Sequence, residues 1–137
     1  MKRGVLSQPR GQDLVEYAIT LPLALILVFA IIDVGRMVYY YSAMQNAVRE
    51  GARYGSVHPD EADLETTICD RVASRAIGVK LTCNPDEDIV VNYAAGTITV
   101  NVSFAYPLMT PLVGAIFGLE TINLSTGSTM ELEYIPQ

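Results

Sequence analysis

Few residues in this 137-residue sequence have a type and spacing that could support chemistry, and Glu16 is the most unusual of them. It is the one charged residue in an otherwise apolar run from Leu14 to Ile32. A carboxylate within an apolar helix costs at least a few kcal/mol in a bilayer unless a partner compensates it. Glu16 is therefore the first candidate for a functional ionic contact.

The remaining reactive side chains give weaker signals. Cys69 and Cys83 are not spaced as C-x-x-C and have no second pair to complete a zinc site. They are either two reduced thiols of a cytosolic protein or one disulfide of an exported protein. His58 is the one histidine and lies beside Pro59, which favours a surface role without chemistry. The run Asp86-Glu87-Asp88 could hold Ca²⁺, but three acids in a turn are usually only solvated, so no metal site is predicted.

Several classes of function are excluded by composition and motif. No Ser–His–acid set, cysteine nucleophile, phosphate-binding loop or pair of catalytic carboxylates can be assembled, so we predict that the chain is not an enzyme and uses no cofactor. The net charge is −6, from 9 basic and 15 acidic residues, and without Lys2, Arg3 and Arg10 it would be −9. Because such an acidic body repels polyanions, nucleic acid is not an expected partner.

A long N-terminal helix must position Glu16. Residues Met1–Gly11 are short and basic, and Pro9 with Arg10-Gly11 argues against helix there. The run Leu14–Ile32 has 19 residues, enough at about 1.5 Å each to span most of a hydrocarbon core. Positive charge before it and acidic sequence after it predict the N-terminus inside and the body outside. No small-x-small cleavage site directly follows the run, which disfavours an ordinary signal peptide.

The helical pattern continues beyond the apolar run. Apolar residues recur with the i, i+3/i+4, i+7 spacing of an amphipathic helix at Val34, Met37, Val38, Tyr41, Met44, Val48 and Ala52. We therefore predict one helix from about Asp13 to Tyr54, apolar all round in its first half and on one side in its second. Pro22 removes a backbone hydrogen bond and should kink or loosen this helix.

The rest of the chain predicts a compact head. A second helix opens at Asp63, turns Leu64, Ile68, Val72 and Ile77 inward, and ends near Gly78. Alternating β-branched and aromatic residues predict three strands, at Ile89–Tyr93, Thr97–Phe104 and Ser128–Tyr134, with the first two forming a hairpin. The apolar stretch Leu112–Leu119 is either a short helix or a contact surface. The predicted fold is α+β: a long N-terminal α-helix with a small C-terminal head of one helix packed on a short antiparallel sheet.

Three blocks of sequence resemble a known family. They are Gly11-Gln12-Asp13-Leu14-Val15-Glu16-Tyr17, then Leu21-Pro22-Leu23 within the apolar run, and Arg49-Glu50-Gly51-Ala52-Arg53-Tyr54 at its far end. Together they resemble the N-terminal region of the TadE-like family of tight-adherence (type IV-like, Flp-type) pseudopilins. The resemblance covers Arg10–Val57, and beyond it only Met130-Glu131 is similar to the family.

The resemblance implies a processed pilus subunit. A prepilin peptidase would cut after Gly11, so that Gln12 becomes the new N-terminus and Glu16 the fifth residue, with Tyr17 after it. The resemblance implies three parts: a prepilin leader at residues 1–11, a transmembrane and filament-core helix at 12–57, and an extracytoplasmic α+β head at 58–137. The helix would assemble through Glu16, Tyr17 and Pro22. The implied partners are other pilin subunits, the peptidase, the inner-membrane assembly platform, and the membrane before assembly. The implied location is the inner membrane as a precursor, then an extracellular filament that contributes to surface attachment.

Physical reasoning agrees with this assignment. In a bundle of such helices, Glu16 can pair with the α-amino group that cleavage creates on Gln12 of a neighbouring subunit, which would fix the axial register. Glycine at position 11 lets an extended backbone enter a protease.

Because export is predicted, we expect Cys69 and Cys83 to form a disulfide, which closes a loop of about 15 residues and stabilises the head by roughly 3 kcal/mol. Two competing hypotheses are a single-pass membrane-anchored extracytoplasmic binding module that is not assembled into filaments and, less favoured, a secreted enzyme.

Overall fold

The chain folds as one long helix that carries a small α+β head at its C-terminal half. A computed structural model describes residues 10–83, 88–94, 96–110, 114–115, 118 and 121–133. Its elements are α1 (Arg10–Val57), α2 (Leu64–Arg75), β1 (Ile89–Ala94), β2 (Thr97–Pro107) and β3 (Thr121–Glu131). The three strands form one antiparallel sheet in the order β1-β2-β3. The predicted fold class is therefore confirmed.

Helix α1 is 48 residues long, about 72 Å at the usual helical rise, and runs through Pro22 without a break in its assignment. It begins at Arg10, so the expectation that Arg10-Gly11 would not be helical was wrong. The first turn of a helix has no intrahelical N–H bonds to lose, so a glycine there costs less than one in the interior.

The face of α1 that packs on the head differs in part from the predicted stripe. Met44, Val48 and Ala52 are buried as predicted, but Val34 and Val38 are 54% and 56% exposed. The face that the head covers is rotated about the helix axis relative to the predicted stripe. Its residues are Asp33, Tyr40, Met44, Ala47, Val48, Gly51, Ala52 and Gly55. Two neighbouring faces of this helix are apolar, and periodicity alone does not tell which of them its own head covers.

Helix α2 lies on α1 and ends earlier than predicted. Leu64, Ile68 and Val72 are buried as expected, whereas Ile77 is 69% exposed. Helical geometry stops at Arg75, because Ala76 adopts a ψ of 66°, and the turn that follows points Ile77 outward. Val79 is buried beyond the turn instead.

The sheet packs on both helices through its inner face. Ile98, Val100, Val102 and Tyr106 of β2 alternate inward, as the sequence predicted for this strand. Strand β3 begins at Thr121, seven residues before the predicted start at Ser128. Thr121 and Ile122 favour a strand but Asn123 and Gly127 do not, so pairing with β2 decides the conformation of this part of the chain.

Some predicted features lie outside the described residues. These are residues 1–9 of the leader, Asp86 and Glu87 of the acidic run, most of Leu112–Leu119, and Tyr134. For residues 110–120, the structure describes only Thr110, Gly114, Ala115 and Gly118.

Candidate assembly surface and head junction

The first half of α1 is an apolar surface that the rest of the described chain leaves open. From Leu14 to Ile32, the large apolar side chains that are exposed range from 47% to 71% exposure. By length and composition this helix can cross a membrane. Leaving such a surface in water is unfavourable by about 1.5–3 kcal/mol for each large side chain that would otherwise be buried. It therefore needs lipid or other helices around it.

This apolar surface continues past the membrane-length run as a stripe on α1. Leu27, Ile31, Val34, Val38 and Tyr41 are all exposed, and their spacing of four, three, four and three residues places them on one face. We call these five residues the α1 stripe. Because Val34, Val38 and Tyr41 lie beside the head, the apolar surface available to another molecule extends from the membrane segment to the head.

The predicted processing and assembly residues all lie on α1. Gly11, Gln12, Glu16 and Tyr17 are exposed and helical. A side chain added at Gly11 would meet nothing within 4 Å, so glycine is not required there by packing in the described structure. The bond after Gly11 lies in the first helical turn, where unwinding the backbone into a protease-accessible strand breaks few hydrogen bonds. Cleavage there and the pairing of Glu16 with Gln12 of another subunit stay predictions.

Asp33, the first residue after the apolar run, fastens the head to α1. It is 4% exposed, and its carboxylate accepts hydrogen bonds from the Thr110 hydroxyl at 2.6 Å and from the Met109 and Thr110 backbone N–H groups at 3.2 Å each. Burial alone would raise the pKa of the Asp33 carboxyl, but the Thr110 hydroxyl, the two backbone donors and Arg36 together hold this pKa below its ordinary value. The charged form is therefore the one that the junction stabilises.

An aromatic cluster completes the junction beside Asp33. The Tyr40 ring packs at 5.6 Å from the Tyr106 ring and 6.3 Å from the Phe104 ring, measured between centroids. Arg36 lies over the Tyr40 ring at 5.6 Å and donates a hydrogen bond to the Tyr40 hydroxyl at 3.1 Å. Burial raises the pKa of the Tyr106 hydroxyl, which donates to the Asp33 carbonyl at 3.4 Å.

Sequence reasoning missed this junction, because it treated Asp33 only as the end of the apolar run. The signal that could have revealed it is the spacing of Asp33, Arg36 and Tyr40. These residues lie at i, i+3 and i+7, on one helical face directly after the membrane-length segment.

Two glycines let the head approach α1 closely at the other end of the junction. A side chain at Gly51 would overlap a methyl group of Val72, and one at Gly55 would overlap the side chains of Ile98 and Ile68. Gly51 and Gly55 are one helical turn apart, so they form a groove in α1 that receives α2 and β2. Gly51 belongs to the last of the sequence blocks quoted above.

Cys69 and Cys83 form the disulfide that was expected for an exported chain. Their Cα atoms are 5.6 Å apart, and the bond ties α2 to the segment that leads into β1. Nearby, the Asp88 carboxylate accepts hydrogen bonds from the Thr82 backbone N–H at 2.9 Å and from the Thr82 hydroxyl at 2.7 Å. Asp88 thus joins the residue before β1 to the segment that carries Cys83.

His58 lies on the surface at the end of α1 and stacks on the Tyr54 ring at 4.3 Å. The guanidinium of Arg71 covers the same ring at 3.7 Å. Because the Tyr54 hydroxyl donates to the Glu61 carboxylate at 2.6 Å, the pKa of Tyr54 is raised. Among the described residues, no group of three or more His, Cys, Asp or Glu side chains could hold a metal ion.

Comparison with known proteins gave a match for part of α1 and none for the head. A family model of TadE-like proteins matches residues 11–53, which are 43 of the 137 residues. The matched region starts at Gly11 and ends before α2. Neither curated proteins nor solved structures gave a match.

Proposed function

The N-terminal region of this chain belongs to the TadE-like family, and from this premise we propose that the chain is a pseudopilin of a tight-adherence, type IV-like pilus. It assembles through α1 after its leader is removed and contributes to surface attachment. The observation that carries the proposal is the combination of the family match with the exposed apolar half of α1. The family is associated with pili and is not known for enzymes.

The proposed mechanism begins with cleavage between Gly11 and Gln12. The cut removes three basic residues that anchor the N-terminus on the cytoplasmic side, and it creates an α-amino group on Gln12. Gln12 and Glu16 are one turn apart on α1, so in adjacent helices a small axial shift brings the amine of one subunit to the carboxylate of the next. This pairing satisfies a carboxylate that is otherwise costly in an apolar environment.

Assembly then replaces lipid by protein around α1. The exposed side chains of Leu14–Ile32 pack against the same segment of other subunits, and the α1 stripe extends that contact toward the head. Within the bilayer this association relies on packing and polar pairing, because lipid tails are as apolar as the helices. Once the subunit has left the bilayer, water makes the same packing strongly favourable.

The test compares Gly11→Leu with Gly35→Leu in the native host. Neither glycine is crowded, since a side chain added at either position would meet nothing within 4 Å. We expect the wild-type chain from filaments and the Gly35→Leu chain to begin at Gln12 by intact-mass measurement. The Gly11→Leu chain should keep its leader and be absent from the sheared filament fraction.

Two results would contradict the proposal in different ways. A Gly11→Leu chain whose N-terminus is still Gln12 would show that the cleavage site is wrong. The membrane-anchored binding module would be supported instead if the wild-type chain kept its leader and stayed in the membrane while the same cells made filaments that lack this chain.

A further inference from the structure

The outer edge of the sheet at β3 is long and lacks the features that usually block strand pairing. Strand β3 pairs with β2 residue for residue from Thr121 to Glu131, without a bulge. Among the described residues no strand pairs with its other edge. The eleven residues contain no proline, lysine or arginine, and their one charge is Glu131 at the end. Natural proteins usually protect such edges, so an open one suggests a partner.

The direction of the free backbone groups follows from the observed hydrogen bonds. The Leu132 N–H donates to the Gly96 carbonyl, toward β2, and the N–H of Ser103 in β2 donates to the Asp88 carbonyl, toward β1. The backbone N–H and C=O of Ser103 thus point toward β1 and away from β3. In an antiparallel pair of this kind, the opposite residue Ser125 directs its own N–H and C=O away from β2, toward the free edge. The same alternation applies to Thr121, Asn123, Gly127 and Thr129.

The opposite edge of the sheet, at β1, also has backbone groups that no described strand pairs. Asn92 and Thr99 form a hydrogen-bonded pair between β1 and β2. Because the direction alternates along the strand, the outward backbone groups of β1 belong to Ile89, Val91 and Tyr93. An open groove of about 160 Å³ lies beside Ile89 and Val91, with α2 and the disulfide on its other side. No charged residue lies within β1, although Glu65 of α2 lines the groove.

Both edges run in the same direction as α1. The Tyr106 hydroxyl, near the end of β2, donates to the Asp33 carbonyl, and the Glu133 backbone N–H, just after β3, donates to the Ser56 carbonyl. Strand β3 therefore runs from the Asp33 end of α1 toward its Ser56 end. Strand β1 shares this direction, since both outer strands are antiparallel to β2.

We propose that β3 of one copy pairs in parallel with β1 of a neighbouring copy of this chain. This inference rests on the proposed function, because assembly through α1 places the α1 helices of neighbouring copies parallel to each other. A β3–β3 pair would need a two-fold axis and would turn the two α1 helices antiparallel. A β3–β1 contact instead joins two different surfaces of copies that point the same way, so it can repeat along a filament.

Charge and apolar surface favour a second copy as the occupant. The chain carries a net charge of −6, yet β1 has no charged residue and β3 has only Glu131. Glu65 of α2 lines the groove beside β1, so Glu65 and Glu131 are acidic side chains near the proposed contact, and the strands themselves add little repulsion. The half-buried inner-face residues of β3 lie next to α1. A neighbour at this edge would also be close to the exposed apolar residues of the α1 stripe.

Cysteine crosslinking of the full chain in the native host tests this pairing. The two native cysteines are joined to each other, so introduced thiols are the free ones. Asn92→Cys in β1 would be combined in turn with Asn123→Cys, Ser125→Cys or Thr129→Cys in β3, which covers neighbouring registers on the outer sheet face. We expect mild oxidation to give a reductant-sensitive ladder of multimers from at least one double variant. Each single variant should give none.

Two further variants separate pairing from folding. Asn92→Cys combined with Thr126→Cys should give no ladder, because Thr126 lies on the inner face of the sheet. Adding Ser125→Pro to the crosslinking double variant, or Asn123→Pro where position 125 already carries the cysteine, should abolish its ladder. Proline removes an outward N–H and is tolerated on an edge strand. The thermal melting of the head should stay near that of the parent chain.

The outcomes distinguish this inference from the proposed function. Filaments of normal abundance with no ladder from any double variant would overturn the pairing and leave the pseudopilin role standing. Dimers from Ser125→Cys alone would indicate β3–β3 contact and also overturn it. A ladder from chains that keep their leader and form no filaments would support head pairing and count against the pseudopilin role.

Discussion

Replacing Asp33 should loosen the head from α1 more than any other single change to a polar side chain in the junction. In Asp33→Ala, the Thr110 hydroxyl and the backbone N–H groups of Met109 and Thr110 lose their acceptor. The carboxylate is 4% exposed, so water does not replace it freely. Asp33→Asn keeps one acceptor oxygen but removes the charge and adds a donor that faces other donors.

The size of the effect follows from the three hydrogen bonds. A hydrogen bond to a charged group contributes about 1.5–3 kcal/mol, and bonds that share one acceptor group are not additive. The two backbone bonds are long at 3.2 Å, which places them at the low end. We therefore expect Asp33→Ala to lower the free energy of unfolding of the head by about 3 kcal/mol. For a domain of this size that corresponds to a Tm lower by roughly 12–24 °C.

The assay is thermal melting of the full chain in a nonionic detergent, followed by near-ultraviolet circular dichroism of the tyrosines. The pH dependence gives a second readout. Since the folded-state pKa of Asp33 lies below the ordinary value of about 3.9, its stabilisation is fully present above about pH 4. It is lost as the pH falls through the lowered folded-state pKa. The difference in Tm between wild type and Asp33→Asn should therefore shrink at acid pH.

The matched control is Asp60→Asn, which changes the same charge at an exposed position of the head. Its Tm should follow that of the wild type at every pH. The reasoning fails if Asp33→Ala melts together with the wild type at neutral pH. It also fails if the deficit of Asp33→Asn stays constant from neutral to strongly acid pH.

Three further changes test other parts of the structure. Gly51→Leu should destabilise the head by about 1–3 kcal/mol through overpacking against α2. Gly35→Leu, at an uncrowded site on the same helix, should melt at or slightly above the wild-type Tm in the same detergent assay, because leucine has the higher helix propensity. Replacing Cys69 and Cys83 by serine should cost roughly 3 kcal/mol, and a chain that melts unchanged would show that the disulfide is not a stabilising constraint. Glu16→Lys should leave membrane insertion intact but remove the chain from sheared filaments, measured by fractionation and immunoblotting; filaments of normal content would refute the pairing of Glu16 with Gln12.

The sequence was sufficient to predict the order of the elements, because most of them have a strong local pattern. Leu14–Ile32 is too long and apolar to be a strand, and Thr97–Phe104 alternates too regularly to be a helix. The hairpin between β1 and β2 follows from the short turn that joins them. The disulfide could be predicted once the N-terminus had indicated export.

The parts that could not be predicted depend on contacts distant in sequence. Asp33 meets Thr110 across more than seventy residues, and nothing near Asp33 indicates that partner. Val34 and Val38 are apolar, yet they face away from the head, because the head covers the adjacent face of α1. Ile77 fits the helical period of α2, but Ala76 ends the helix before it. In each case tertiary structure decides between two choices that are locally equal.

The continuity of α1 has a mechanical consequence for the whole molecule. The same helix forms the membrane-length segment and, from Asp33 to Gly55, the platform of the head, with no break between them. The angular position of the head is therefore set by counting residues, at about 100° of rotation and 1.5 Å of rise for each one. Inserting one alanine between Ile32 and Asp33 would turn the head by that angle relative to Glu16. A rotation or tilt imposed on the N-terminal end of α1 would in the same way reach the head as a change of orientation.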